Sequence, residues 1–220
     1  MKNRLKAIIW DFDGTIADTH GIHAKTEAET LKKYGIKISE SEIIKRFSGV
    51  KLNVIFKTLF EENNAKGNHM QACEIKWRMM NKIISKNIPK YMPGVKNLFN
   101  ECKKQNIKMA IASSSIRDYL DLAIKKMKIE NYFEIIISGD DVKNSKPDPE
   151  IFLKAIKCLK LKPSQCLIIE DGTVGVIAAQ NAKIKCIAVG DHIDKSILKK
   201  TSVHTDTLEK VNLDFINKLF

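Results

Sequence analysis

The run Leu5-Lys6-Ala7-Ile8-Ile9-Trp10-Asp11-Phe12-Asp13-Gly14-Thr15 constrains the fold more than any other: an apolar strand that delivers two carboxylates, separated by one residue, into a glycine turn. Side chains alternate along a strand, so as Asp11 leaves the sheet and the chain turns at Gly14, both acids can face one crevice at the strand's carboxyl end. Two close carboxylates repel and demand compensation, from a bound cation or a nearby lysine. A cation here suggests Mg²⁺, a hard ion that favours one or two carboxylates plus phosphate oxygens. Taken alone, Asp13-Gly14 also reads as an ordinary turn.

Matching parts follow in order. Lys108-Met109-Ala110-Ile111-Ala112 is a buried-type strand ending in Ser113-Ser114-Ser115, hydroxyls and amides at the start of the next helix, where anions bind well. Asn144-Ser145-Lys146-Pro147-Asp148-Pro149 presents a lysine in a stiff Pro-x-Pro frame before an amphipathic helix from about Glu150 to Leu161. Cys166-Leu167-Ile168-Ile169 is a short apolar strand ending in Glu170-Asp171-Gly172, a second acidic pair and a second metal-ligating corner. Singly, Ser113 reads as a helix cap, Lys146 as a solvated lysine and Glu170-Asp171 as a turn.

Together, strand-end acids, strand-end hydroxyl, framed lysine and strand-end acids resemble the four ordered motifs of the haloacid dehalogenase superfamily. Asp11-Phe12-Asp13-Gly14-Thr15, Ser145-Lys146-Pro147 and Glu170-Asp171-Gly172 resemble its β-phosphoglucomutase-like and phosphoglycolate-phosphatase-like branch, over nearly the whole chain. The resemblance implies a phosphoric monoester hydrolase. It implies that Asp11 attacks phosphorus to give an aspartyl-phosphate and that Asp13 is general acid and base. It implies Mg²⁺ held by the Asp11 carboxylate, the Asp13 backbone carbonyl and Asp171, with Glu170 as ligand or support. Ser113 and Lys146 hold the transferring phosphoryl oxygens, and amides near Ser114 add to this grip. Charge neutralisation is essential, because two like charges 4 Å apart repel by about 4 kcal/mol at an effective dielectric of 20.

The second acid, Asp13, separates the chain from the metal-independent dehalogenases of the superfamily, which lack it, and implies phosphoryl transfer. Similar mutases place an arginine two residues after a Gly-Val pair to grip a distal phosphate. Here Gly49-Val50 is followed by Lys51 and Leu52, so the matched position is leucine. Lys51 can stand in as a point charge without arginine's planar fork. His23 matches a cap-side histidine of the mutases, and reads equally as a packing residue. Thr15 leans toward the phosphatases. The expected activity is therefore a Mg²⁺-dependent phosphatase of a small phosphorylated metabolite, a sugar phosphate or phosphoglycolate-like compound. The alternative is a β-phosphoglucomutase interconverting β-glucose 1-phosphate and glucose 6-phosphate.

Composition narrows the other classes. The net charge of +12 raises a nucleic-acid binder as a rival. The basic residues are overwhelmingly lysines spread along the chain without aromatic interleaving, and no groove-reading module is recognisable, so no nucleic acid is expected. No apolar run reaches the roughly 18 residues of a membrane span. The cysteines Cys73, Cys102, Cys158, Cys166 and Cys186 are scattered without a CxxC pair, as expected for reduced thiols in a cytoplasm and no zinc site. A monomer is expected, since no heptad or exposed apolar helix stands out.

The organisation reads as an insertion. Thr19 to about Tyr34 is a helix stopped by Gly35. Ser39-Glu40-Ser41-Glu42 reads as a capping box starting a second helix near Phe47. Lys51–Glu62 and His69–Lys86 are two more helices, the last carrying Trp77 and Met79-Met80 as bundle core. Pro89 and the Tyr91-Met92-Pro93-Gly94 turn return the chain, and from Val95 helices alternate with strands as in a parallel sheet. The fold class is α/β: a Rossmann-like parallel-sheet core from residues 1–15 and 89–220, with a helical cap inserted over 16–88 and placed over the carboxyl ends of the strands.

Overall fold

The computed structural model describes residues 4–191, 193–199 and 203–220. The opening apolar run forms β1 (Ala7–Trp10). Helices α1 (His20–Lys32), α2 (Glu40–Phe47), α3 (Leu52–Glu62) and α4 (His69–Lys86) follow before any second strand. Then come α5 (Val95–Lys104), β2 (Lys108–Ala112), α6 (Arg117–Met127), β3 (Ile135–Ile137), α7 (Glu150–Leu159), β4 (Cys166–Glu170), α8 (Thr173–Asn181), β5 (Lys185–Val189) and β6 (Val203–Thr205).

The strands form one six-stranded sheet in the order β3-β2-β1-β4-β5-β6. All its pairings are parallel. Strand β1 is thus central, the chain builds outward to β3 on one side and then crosses to β4 on the other. Such a reversal leaves a crevice beyond the carboxyl ends of the strands beside it. Trp10 pairs with Ile111 of β2 and Ile169 of β4, so the residues just after these strands end side by side.

The nearly continuous apolar strands face helices on both sides. Ile8, Trp10, Ile111 and Ile169 pack with Phe99 of α5 and Leu120 of α6. The alternate residues Ile9, Ala110 and Ile168 pack with Phe152 of α7 and Val176 of α8. The α1–α4 region has its own core, including Leu31, Ile43, Leu52, Phe56 and Leu59.

Local signals place the helix ends with small shifts. Thr19 caps α1 rather than opening it, and Gly35 turns at φ +78°. Ser39 accepts from the Glu42 amide, but Glu42's side chain meets Arg46, and the helix this serine starts has Phe47 as its last residue. Helix α7 stops two residues before Leu161, where Lys160 takes a left-handed conformation. Met80 and Ile84 of α4 belong to the sheet-side core rather than to the α1–α4 bundle, and Trp77 borders both.

The chain leaves for the helical region and returns from it through adjacent segments. The Met92 amide donates to Ile16 O and the Asp18 amide to Lys90 O, each at 2.9 Å, with a bridge between Ala17 and Tyr91. The return ends at Gly94, at φ +86°, where a Cβ would collide with the Leu208 backbone. Gly94→Ala is therefore expected to destabilise by about 2 kcal/mol or more, a fall of roughly 5 °C in Tm, since both the left-handed backbone and the contact oppose it. An unchanged melting temperature by calorimetry would refute this account of the turn.

Candidate active site

Three strand ends converge. Asp11 follows β1, its amide held at 2.9 Å by Ile169 O; Ser113 follows β2; Glu170 ends β4 and Asp171 follows it. Lys146, carried in by the loop before α7, lies completely buried beneath them. Its Nζ donates to Asp11 Oδ1 at 2.6 Å, Glu170 Oε1 at 2.5 Å and Ala112 O at 3.1 Å. These three bonds use every N–H of the ammonium. Glu170's other oxygen accepts from the Gly172 amide at 2.8 Å, and a Cβ at Gly175 would collide with this carboxylate. The glycine of α8 thus gives Glu170 its room.

Asp11, Glu170 and Asp171 each bring a carboxylate oxygen within 4.8 Å of the others. Burial pushes Asp11 up from the ordinary carboxylate range, Lys146 opposes this, and Glu170 and Asp171 add to the rise. Glu170 is raised for the same reasons, burial first. Burial tends to lower Lys146, but Asp11 and Glu170 hold it above the usual lysine value. Three buried carboxylates against the Lys146 ammonium and the His20 imidazolium at Asp171 leave room for a further positive charge. Asp171 Oδ1 accepts from Thr15 Oγ1 at 2.7 Å, while its buried Oδ2 faces His20. His20 Nε2 is 3.0 Å from that oxygen as an ion-pair partner. An all-oxygen set of three buried carboxylates fits a hard divalent ion.

The carboxylate of Asp13 stands apart from this cluster. Its Oδ1 accepts from Thr19 Oγ1 at 2.7 Å and Tyr119 OH at 2.6 Å, with His23 Nε2 at 3.1 Å, and its Oδ2 accepts from Ser115 Oγ at 2.6 Å. Burial tends to raise Asp13, but His23 and the Ser115 and Tyr119 hydroxyls more than offset it and hold the group well below the carboxylate range. Behind His23, Lys76 Nζ lies 2.8 Å from Nδ1 and 3.5 Å from Glu27 Oε1. Lys76 is fully buried, and burial lowers its pKa against the pull of Glu27.

The crevice between sheet and helices, about 80 Å³, is lined by Asp11, Asp13, His20, His23, Ser113 and Ser114 and roofed by α2–α4 residues such as Ile43, Phe47, Leu52 and Trp77. Ser113 Oγ accepts from the Ser115 amide at 3.1 Å. Ser114 Oγ donates to Gly49 O at 2.9 Å, tying core to cap. Lys51 does not join the crevice: its Nζ donates to Gly139 O at 2.6 Å, a second tie across the same seam.

A family model described as haloacid dehalogenase-like hydrolase matches residues 8–189. The chain belongs to that family. It is 31% identical over 197 residues to YhcW of Bacillus subtilis (strain 168), covering 88% of this chain and 87% of that protein. It is 29% identical over 187 residues to the phosphorylated carbohydrates phosphatase of Thermotoga maritima, covering 83% and 84%. The β-phosphoglucomutase structure from Clostridium difficile superposes with a TM-score of 0.86 at 26% identity, over 98% of this chain and 96% of that one. The chain is a hydrolase of this family. No helix among the described residues is long and apolar enough to cross a membrane.

Several side chains around the site carry no expectation from sequence. Thr19 and His20 stand at the start of α1, shortly after the first motif. Tyr119 and Lys76 meet Asp13 and His23 only through tertiary folding, across 106 and 53 positions. Burial tends to lower His20, but its bond to Asp171 and the charges of Asp171, Asp13 and Asp11 raise it to about 9. The imidazolium thus stabilises the metal-free fold fully below the unfolded value of about 6.5, and this contribution is lost as pH rises through about 9. NMR titration in EDTA should give a His20 midpoint about 9, and Mg²⁺ should lower it by competing for Asp171. A midpoint near 6.5 in both conditions would contradict the ion pair.

Proposed function

We propose that the chain is a Mg²⁺-dependent phosphatase that hydrolyses a small phosphorylated metabolite through an aspartyl-phosphate on Asp11. The observation that carries this reading is the convergence of Asp11, Ser113, Lys146 and the Glu170-Asp171 pair at three adjacent strand ends. Asp11, Asp171 and the Asp13 backbone carbonyl would hold the metal. Glu170, with both oxygens bonded to Lys146 and the Gly172 amide, supports them. Bound there, Mg²⁺ supplies the positive charge that lets an anionic carboxylate approach an anionic ester.

The protein's own residues account for the rest. Lys146 keeps Asp11 ionised and aimed. Its bond to Ala112 O is the longest of the three, and exchanging that acceptor for a phosphoryl oxygen leaves both ion pairs intact. Ser113 and the amides near Ser114 take the other phosphoryl oxygens. Asp13 in its cradle of donors is held ionised, a base without a proton to give. Turned out of that cradle it loses the donors that keep it ionised and binds a proton from solvent before the crevice closes; it gives this proton to the leaving alcohol and is reprotonated by the attacking water. Residues 16–88 act as a cap, closing through the Ser114–Gly49 and Lys51–Gly139 ties and excluding water. Leu52 is buried in the cap core and Lys51 is bonded to Gly139 O, so neither offers a cation to a distal phosphate. Both favour hydrolysis over mutation.

The test is release of inorganic phosphate from phosphorylated sugars, glycolate and nucleotides, with Mg²⁺ or EDTA, beside a coupled assay for glucose 6-phosphate from β-glucose 1-phosphate. Metal-dependent phosphate release is expected. Asp11→Asn should lower it on the order of 10³-fold or more while the fold melts as before. Glucose 6-phosphate formed without free phosphate, or an Asp11→Asn rate near wild type, would sink the proposal.

A further inference from the structure

Folding gathers lysines that are scattered in the sequence. The sheet is parallel, and each of α5 to α8 runs back along it before the next strand. The last turn of each helix and the loop behind it therefore reach the amino edge of the sheet, opposite the catalytic crevice. The segments so placed, 4–7, 101–108, 124–135, 156–166 and 178–185, carry thirteen Lys and Arg against three Asp and Glu. The rest of the chain carries 25 against 23, so one edge of the sheet holds +10 of the formal +12. What reads as dispersal along the chain is repeated placement on one face. None of the thirteen is buried. Among the described residues only Lys108 of these forms a salt bridge, with Glu134 at 2.9 Å, and both partners are too exposed for that pair to hold them firmly.

Lysines at helix ends have a structural use, since they offset the helix dipole. Four helix ends bring about −0.5 charge each, roughly −2 in all, which accounts for about a fifth of the excess. The remainder repels itself until an anion covers it. A cavity of about 400 Å³ opens in this face. Tyr132 and Phe133 give it an aromatic wall, Asn106 and Asn131 bring side-chain amides, and Lys103 and Lys108 stand beside them. Lys103 Nζ lies 5.3 Å from the centre of the Tyr132 ring. An aromatic wall between ammonium groups matches a nucleobase and the phosphates on either side of it. A lipid surface is matched less well. The exposed large apolar side chains, Val54, Met70, Ile88, Leu153 and Phe215, all lie outside these segments, so the face has none to insert.

We propose that this face binds single-stranded nucleic acid, with the phosphodiester backbone following the lysines along the amino edge and a base seated in the Tyr132–Phe133 cavity. A duplex keeps its bases stacked and offers none to the cavity. Twelve of the thirteen cations are lysines, point charges without arginine's fork, so binding is salt-dependent and tolerant of sequence. It leaves the catalytic crevice open and does not depend on the phosphatase reading.

The test is fluorescence anisotropy on the full chain with a labelled single strand of about 12 nucleotides, as DNA and as RNA, beside an abasic strand and a duplex of the same length. Cosedimentation with phosphatidylserine vesicles is the lipid arm. The intact single strand should bind about fivefold or more tighter than the abasic strand or the duplex, and the tighter of DNA and RNA names the source. Its affinity should fall about tenfold or more between about 50 and 200 mM salt. The triple variant Lys103→Gln, Lys104→Gln, Lys125→Gln, changed only at exposed positions, should lose about tenfold or more in affinity and flatten the salt dependence, with Tm and p-nitrophenyl phosphate turnover as in wild type. No binding at the lower salt, an abasic strand or duplex bound as tightly as the intact strand, vesicles bound in preference to it, or a triple variant that binds like wild type overturns the proposal. Failure of p-nitrophenyl phosphate turnover in the wild type overturns the phosphatase reading alone.

Discussion

An excess of buried negative charge at the end of the central strand is the constraint around which this molecule is arranged. Asp11, Glu170 and Asp171 lie within 4.8 Å of one another through their oxygens, all three buried. Such a cluster is sustained only where positive charge is built into the fold. Lys146 supplies it from below, with Asp11 and Glu170 sharing one ammonium, and His20 supplies it from the side at Asp171. The imbalance that remains fits a hard cation.

The sheet topology turns that electrostatic requirement into geometry. Because β1 lies between β2 and β4, a hydroxyl and an acidic pair from distant sequence positions sit on either side of Asp11 without any long loop to carry them. The parallel register that pairs Trp10 with Ile111 and Ile169 sets the level of all three strand ends. The groups on the strand ends are held by the core itself, with Trp10 packed on Phe99 beneath them.

Much of this is legible in sequence, for a physical reason. Buried parallel strands need continuous apolar runs, and the polar residue ending each run marks the crevice, so Asp11, Ser113, Glu170 and Asp171 announce themselves locally. Lys146 does so through the prolines beside it. What cannot be read is the set of contacts made by residues whose chemistry is ordinary until the fold brings them together. Lys76 is one of many lysines on an amphipathic helix, and only its complete burial against His23 and Glu27 distinguishes it. Tyr119 reads as one more apolar position of α6, yet its hydroxyl reaches Asp13. Lys51 shows the converse: its place in the motif suggests a substrate contact, and its side chain instead closes the seam at Gly139.

The arrangement around Asp13 links these two halves. Its carboxylate is held by Tyr119 and Ser115 from the sheet-bearing half and by Thr19 and His23 at the start of the helical region, with Lys76 of α4 behind His23. An acid bridging two bodies in this way cannot leave its cradle without loosening their contact. Conversely, movement of the cap changes which donors Asp13 meets and therefore its readiness to carry a proton. The cradle that holds Asp13 ionised is also part of what holds the cap in place. In the proposed reaction, proton delivery and cap position are thereby coupled through one side chain.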